Sequence, residues 1–135
     1  MRKTGKYGKC QKLKSKKEID QLFKQGRSIF MFPFKMLYDV LEGSREEYVR
    51  ASVGVSSRYF KKSVDRNRIK RLMRECWRQE KEDLETWAKS NEVYINIFLV
   101  YVDKTIPEHS QLSIKFPALV EKLIYQLNEH IEKDY

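Results

Sequence analysis

Several residue types and patterns are scarce in this chain. Its two cysteines, Cys10 and Cys76, lie far apart, one in a basic stretch and one among apolar residues. They suggest neither a disulfide framework nor a metal-ligand spacing, and reduced thiols are expected. The two histidines, His109 and His130, have no His or Cys partner at ligand spacing, so both are expected at the surface. No apolar run approaches the roughly 18 residues needed to cross a bilayer, and no hydrophobic block follows the basic N-terminus as a secretory signal would require. The expectation is a protein that stays in the cytosol. No internal repeat or low-complexity stretch divides the chain.

At 135 residues the chain has room for one well-filled domain, and 41% apolar with 13% aromatic residues exceeds what a disordered basic tail carries. Lys and Arg number 28 against 19 Asp and Glu, a net charge of +9. That excess is concentrated. Residues 1–17 hold eight basic side chains and no acidic one, residues 58–78 hold nine against Asp65 and Glu75, and the rest of the chain is net acidic. Clustered charge focuses a field on a polyanion, whereas spread charge mainly favours solubility. The expected organisation is a flexible basic arm over residues 1–11 and a single folded domain over residues 12–135, with nucleic acid as the favoured partner.

Ser15 and Glu18 have the spacing of a capping box, Ile19, Leu22 and Phe23 form an apolar stripe, and Gly26 stands at a helix stop. These predict a first helix over residues 15–25. Alternation over residues 29–41 predicts one strand, with Pro33 confining it to an edge or delaying its start. The Glu42-Gly43-Ser44 turn suggests a hairpin with a return strand over residues 48–56. Ser63 is the expected cap of a second helix reaching Asp83 or the Ser90-Asn91 break. Residues 93–102, apolar on both faces except at Asn96, read as a central covered strand. A last helix is expected over residues 116–131, after a loop containing Pro107.

The second helix carries the functional signal. On a wheel with Ile69 at zero, Leu72, Met73, Cys76 and Trp77 fall between roughly −60° and +80°, while Asn67, Lys70, Arg71, Arg74 and Arg78 fall between about 100° and 200°. One side is apolar and the other is cationic without a carboxylate, unlike an ordinary solvated face, which mixes signs. Arg66 and Arg68 flank that arc, and Arg58, Lys61 and Lys62 precede it. The group suits several phosphates held at once by forked guanidinium and compact ammonium donors.

The stretch RASVGVSSRYFKKSVDRNRIKRLMRECWR, from Arg50 to Arg78, resembles the signature of the bacterial ribonuclease P protein component, whose hallmark Arg-Asn-Arg stands here as Arg66-Asn67-Arg68. The preceding LKSKKEIDQLFKQG and the later strand and helix are similar to that family in order and spacing. The resemblance implies an α+β fold: a single-domain α/β sandwich, ribosomal protein S5 domain 2-like, with a left-handed βαβ crossover. Periodicity alone would have suggested the usual right-handed connection. It also implies a protein subunit that binds a catalytic RNA, in a holoenzyme that removes the 5′ leader of precursor tRNA. No cofactor is expected on the protein alone, and Mg²⁺ serves the RNA. By the same resemblance Arg66, Asn67, Arg68, Lys70, Arg71 and Arg74 contact the catalytic RNA. Ile19, Phe23 and Tyr38 line a leader cleft, with Leu37 competing with Tyr38 for the first-strand place. Ile19 stands where many members carry an aromatic, which lowers stacking potential there, and Ser57 stands where a Lys is common.

Protein-based phosphodiester hydrolysis needs clustered carboxylates for metals or an acid–base pair in a cleft, and neither is visible. The competing readings are a ribosomal or RNA-assembly protein of the same fold, a DNA-binding domain and a membrane-surface helix. Against DNA, the basic face supplies phosphate donors, with Asn67 the one group suited to a base edge. Against the membrane, Trp77 lies in the expected core stripe.

Overall fold

The predicted N-terminal cap forms through Ser15. In the computed structural model, which describes residue 13, residues 15–42 and residues 47–133, α1 spans Lys16–Gln25, and the Ser15 hydroxyl accepts from the Glu18 N–H at 3.3 Å. Gly26 ends it with φ of −67°, so no left-handed turn is involved. Glycine is required there for space, because a Cβ would lie 2.4 Å from the Leu22 carbonyl oxygen. The expected basic arm, Cys10, Gly43, Ser44 and the His130 side chain lie outside the described residues.

Where alternation suggests one strand there are two. β1 (Arg27–Met31) and β2 (Phe34–Leu41) pair antiparallel, from Arg27 opposite Tyr38 to Met31 opposite Phe34. The chain reverses at Phe32-Pro33, which is cis. Pro33 therefore marks a turn, and a strand follows it. β3 (Val49–Val55) does not form the expected hairpin with β2, because β4 (Tyr94–Tyr101) lies between them in the order β1-β2-β4-β3. β4 pairs antiparallel with β2 and parallel with β3. The parallel pair is joined through α2 (Ser63–Ser90), whose N-cap is Lys62 rather than Ser63 and makes no side-chain capping bond.

α3 spans His109–Lys133, beginning seven residues before the expected start. Pro117, which suits the first turn of a helix, instead stands inside it. The earlier turns are held by burial of Leu112 and Phe116. α2 and α3 cover one face of the sheet, where Phe34, Met36, Tyr38, Ile95, Ile97, Leu99 and Tyr101 join Ile69, Met73, Trp77, Leu119 and Leu123 in one core. The Phe34 ring meets Phe116 edge-on at 4.9 Å, and the Trp87 indole N–H donates to Asn128 Oδ1 at 2.7 Å, tying the two helices together. Among the described residues the opposite face is covered by α1, over a smaller group of buried residues, Leu13, Leu22 and Leu37.

Candidate nucleic-acid interface

The wheel of α2 is realised in three dimensions. Ile69, Met73, Cys76 and Trp77 are buried and Leu72 is half-buried, while Asn67, Arg68 and Arg71 are exposed and Lys70 and Arg74 half-exposed. Burial of the stripe fixes the rotation of the helix about its axis, which is what turns the cations outward. Among the described residues no carboxylate pairs with Arg68, Lys70, Arg71 or Arg74; Arg78 does pair, its Nη2 lying 3.0 Å from Glu75 Oε1 at the surface. The stripe has one polar member further along, Lys81, buried beside Glu85 with Nζ 3.7 Å from Oε1.

The connection before α2 is shaped by its own side chains. Phe60 is buried, its ring 6.4 Å from that of Tyr101, and its neighbours Tyr59, Lys61 and Lys62 remain exposed. Arg66 reaches back so that Nη1 donates to the carbonyl oxygens of Phe60 at 2.7 Å and Lys61 at 2.9 Å. Arg66 thus spends donors on the backbone and acts as a positioning residue for the cations around it. Arg58 donates its backbone N–H to Ser56 Oγ, and its guanidinium lies 5.7 Å from the Tyr59 ring centre. That leaves Lys61, Lys62, Asn67, Arg68, Lys70, Arg71 and Arg74 as an outward group at one end of the domain. Lys62 makes no side-chain capping bond at the start of α2, the positive end of its dipole, and Asp65 stands in the first turn.

The second surface lies between α1 and the sheet. Ile19 is half-buried and Phe23 is 58% exposed on α1, and the Phe23 ring meets Phe98 of β4 edge-on at 5.1 Å. Phe98 is a residue that sequence reasoning missed as a cleft residue. It stands on β4 opposite Leu37 of β2 and Ser52 of β3, and residues directly opposite share a face. Its position is open because of Gly54, where a Cβ would lie 2.8 Å from the Phe98 ring. The signal available beforehand was the Phe at an alternate position of a strand facing a thinly covered side. The Tyr38 assignment is corrected by the same register: Tyr38 is only 2% exposed, faces the α2–α3 layer, and donates its hydroxyl to Gln126 Oε1 at 3.1 Å. Burial pushes that hydroxyl's pKa up, with Arg27 opposing. Leu37 is the first-strand residue under α1.

A polar row crosses the same face. Asp39, Asn96 and Arg50 lie opposite one another on β2, β4 and β3. Burial raises the Asp39 pKa, against the Val40 N–H and Arg27. Among the described residues no group of three His, Cys, Asp or Glu is placed to hold a metal ion. His109 is half-buried at the start of α3, and its Nε2 has no hydrogen-bond partner among the described residues. The Cys76 thiol is buried and its pKa is pushed up to about 11, by burial first and then by Glu75 and Glu80, which leaves it protonated and unreactive at neutral pH. No described helix is long and apolar enough to cross a membrane.

Sheet, helices and charge together define a small α+β domain that presents one cationic end suited to a polyanion. A family model described as Ribonuclease P matches residues 7–115. Similar chains are the ribonuclease P protein components of Porphyromonas gingivalis, 29% identical over 100 residues with 74% of this chain and 73% of that one covered, and of Borreliella afzelii, 36% identical over 92 residues with 68% and 77% covered. The fold is that of the Staphylococcus aureus RNase P protein, with a TM-score of 0.53 at 17% identity over 88% of this chain and 96% of that one. The chain belongs to the ribonuclease P protein component family, whose members are part of the holoenzyme that processes the 5′ ends of tRNA.

Proposed function

We propose that this protein binds the catalytic RNA of ribonuclease P through Lys61, Lys62, Asn67, Arg68, Lys70, Arg71 and Arg74, with Arg58 and Arg66 shaping that surface, and receives the single-stranded 5′ leader of precursor tRNA between α1 and the sheet. The observation that carries this reading is the outer face of α2, where Arg68, Lys70, Arg71 and Arg74 have no carboxylate partner among the described residues and stand above a buried stripe. Such a surface lowers the repulsion between two RNA backbones by replacing their condensed counterions. Phosphodiester cleavage falls to the RNA and its Mg²⁺. DNA is disfavoured as a partner because the arc offers phosphate donors and one base-reading group, Asn67. The cytoplasm, where a buried reduced thiol is at home, is the compartment this reading assigns.

The test is reconstitution with a bacterial ribonuclease P RNA and a precursor tRNA at low Mg²⁺. Leader removal is expected to rise on addition of the protein. Equal rates with and without it would overturn the reading and favour an RNA-assembly role on the same fold.

A further inference from the structure

The face of the sheet under α1 extends beyond the helix. Two residues along from the Leu37–Phe98 pair, the register places Phe30 of β1, Lys35 of β2, Val100 of β4 and Gly54 of β3 in one row. Phe30 is 61% exposed and Lys35 is exposed beside it. The burial of Ile29 next to Phe30 shows that β1 is correctly seated, so the outward ring belongs to the strand's register. An exposed phenylalanine on the outer strand of a sheet invites edge pairing unless something covers it. From strand spacing and rise, Phe30 and Phe98 stand about 12 Å apart along a diagonal of one face. A ring beside an ammonium group is the arrangement that holds a base and its phosphate, since every base has a face to stack and stacking tolerates any sequence.

We propose that Phe30 with Lys35 forms a second stacking platform, which carries single-stranded RNA from the Phe23–Phe98 cleft outward to β1, the outer strand of the described sheet. This rests on the leader reading of that cleft and extends it to leader nucleotides farther from the cleavage site. Single-stranded RNA is the favoured occupant because Lys35 supplies the charge and because the surface is continuous with Phe98 across adjoining strands.

The test measures affinity of the reconstituted holoenzyme for precursor tRNAs whose leaders are lengthened stepwise, with the full chain and with F30A and F30W. The unaltered chain is expected to bind more tightly as the leader grows. F30A should lose about 5- to 100-fold on the longest leaders and little on the shortest, and F30W should keep the gain. Equal gains for F30A and the unaltered chain would overturn this proposal and leave the leader reading standing. An unaltered chain that gains nothing from a longer leader would overturn both. Loss of self-association in F30A at unchanged RNA affinity would assign the ring to a second copy of the chain and so overturn it too.

Discussion

The two faces of the sheet are built by the same strands and do opposite things. Toward α2 and α3, Phe34, Met36, Tyr38, Ile97 and Tyr101 are sealed beneath two helices of 28 and 25 residues. Toward α1, a helix of 10 residues covers only part of the face, and Phe98, Val100 and Lys35 stay reachable. Adjacent residues on one strand therefore separate the core from the surface proposed to bind, and α2 repeats the division around its own axis. On that proposal, cohesion and recognition are interleaved at single-residue spacing.

Trp77→Ala attacks the sealed side and should show the largest effect, about 3 to 5 kcal/mol of unfolding free energy in a denaturant titration. A loss below 1 kcal/mol would mean that the inward side of α2 is not the anchor. Arg68→Ala or Arg71→Ala attacks the outward side. Each should weaken RNA binding by about 1 to 2 kcal/mol and lower the salt dependence by about one ion, with the melting temperature unmoved; a drop in melting temperature would make these side chains structural. Tyr38→Phe sharpens the contrast within β2, removing the bond to Gln126 for about 1 kcal/mol of stability while leaving leader affinity unchanged in filter binding. The smallest effect concerns Cys76. Its folded pKa is raised above the unfolded value, so the stability due to its neutral thiol is whole below the unfolded pKa and lost as pH rises toward about 11. At neutral pH, mass spectrometry after alkylation should find Cys76 unmodified until the chain is unfolded.

Much of this was legible in advance because it is local. Ser15 with Glu18, and the recurrence from Ile69 to Trp77, act within one or two helical turns, where spacing alone decides which side chains meet. The errors lie where distant segments decide. Alternation reveals that Phe34, Met36 and Tyr38 share a face, yet nothing in it reveals that β4 will separate β2 from β3. The Tyr38 assignment failed for a related reason: a shift of one residue in a strand exchanges the two faces, so Leu37 and Tyr38 are chemically similar choices with opposite surroundings. The last helix was expected seven residues late because its first turns are held by the packing of Leu112 and Phe116, which local spacing does not show. Phe98 escaped notice because a strand apolar on both sides conceals which side is left thinly covered.

The grip of Arg66 on the carbonyls of Phe60 and Lys61 bears on how the cationic surface is counted. A guanidinium occupied by main-chain oxygens has fewer donors left for phosphate, so the number of ions displaced on complex formation will fall short of the tally of positive residues. Exchanging Arg66 for lysine would keep the charge and give up the rigid fork, loosening the segment that aims its neighbours. Formal charge is therefore a poor guide to tolerance at this position, where hydrogen-bond geometry sets what substitution the molecule accepts.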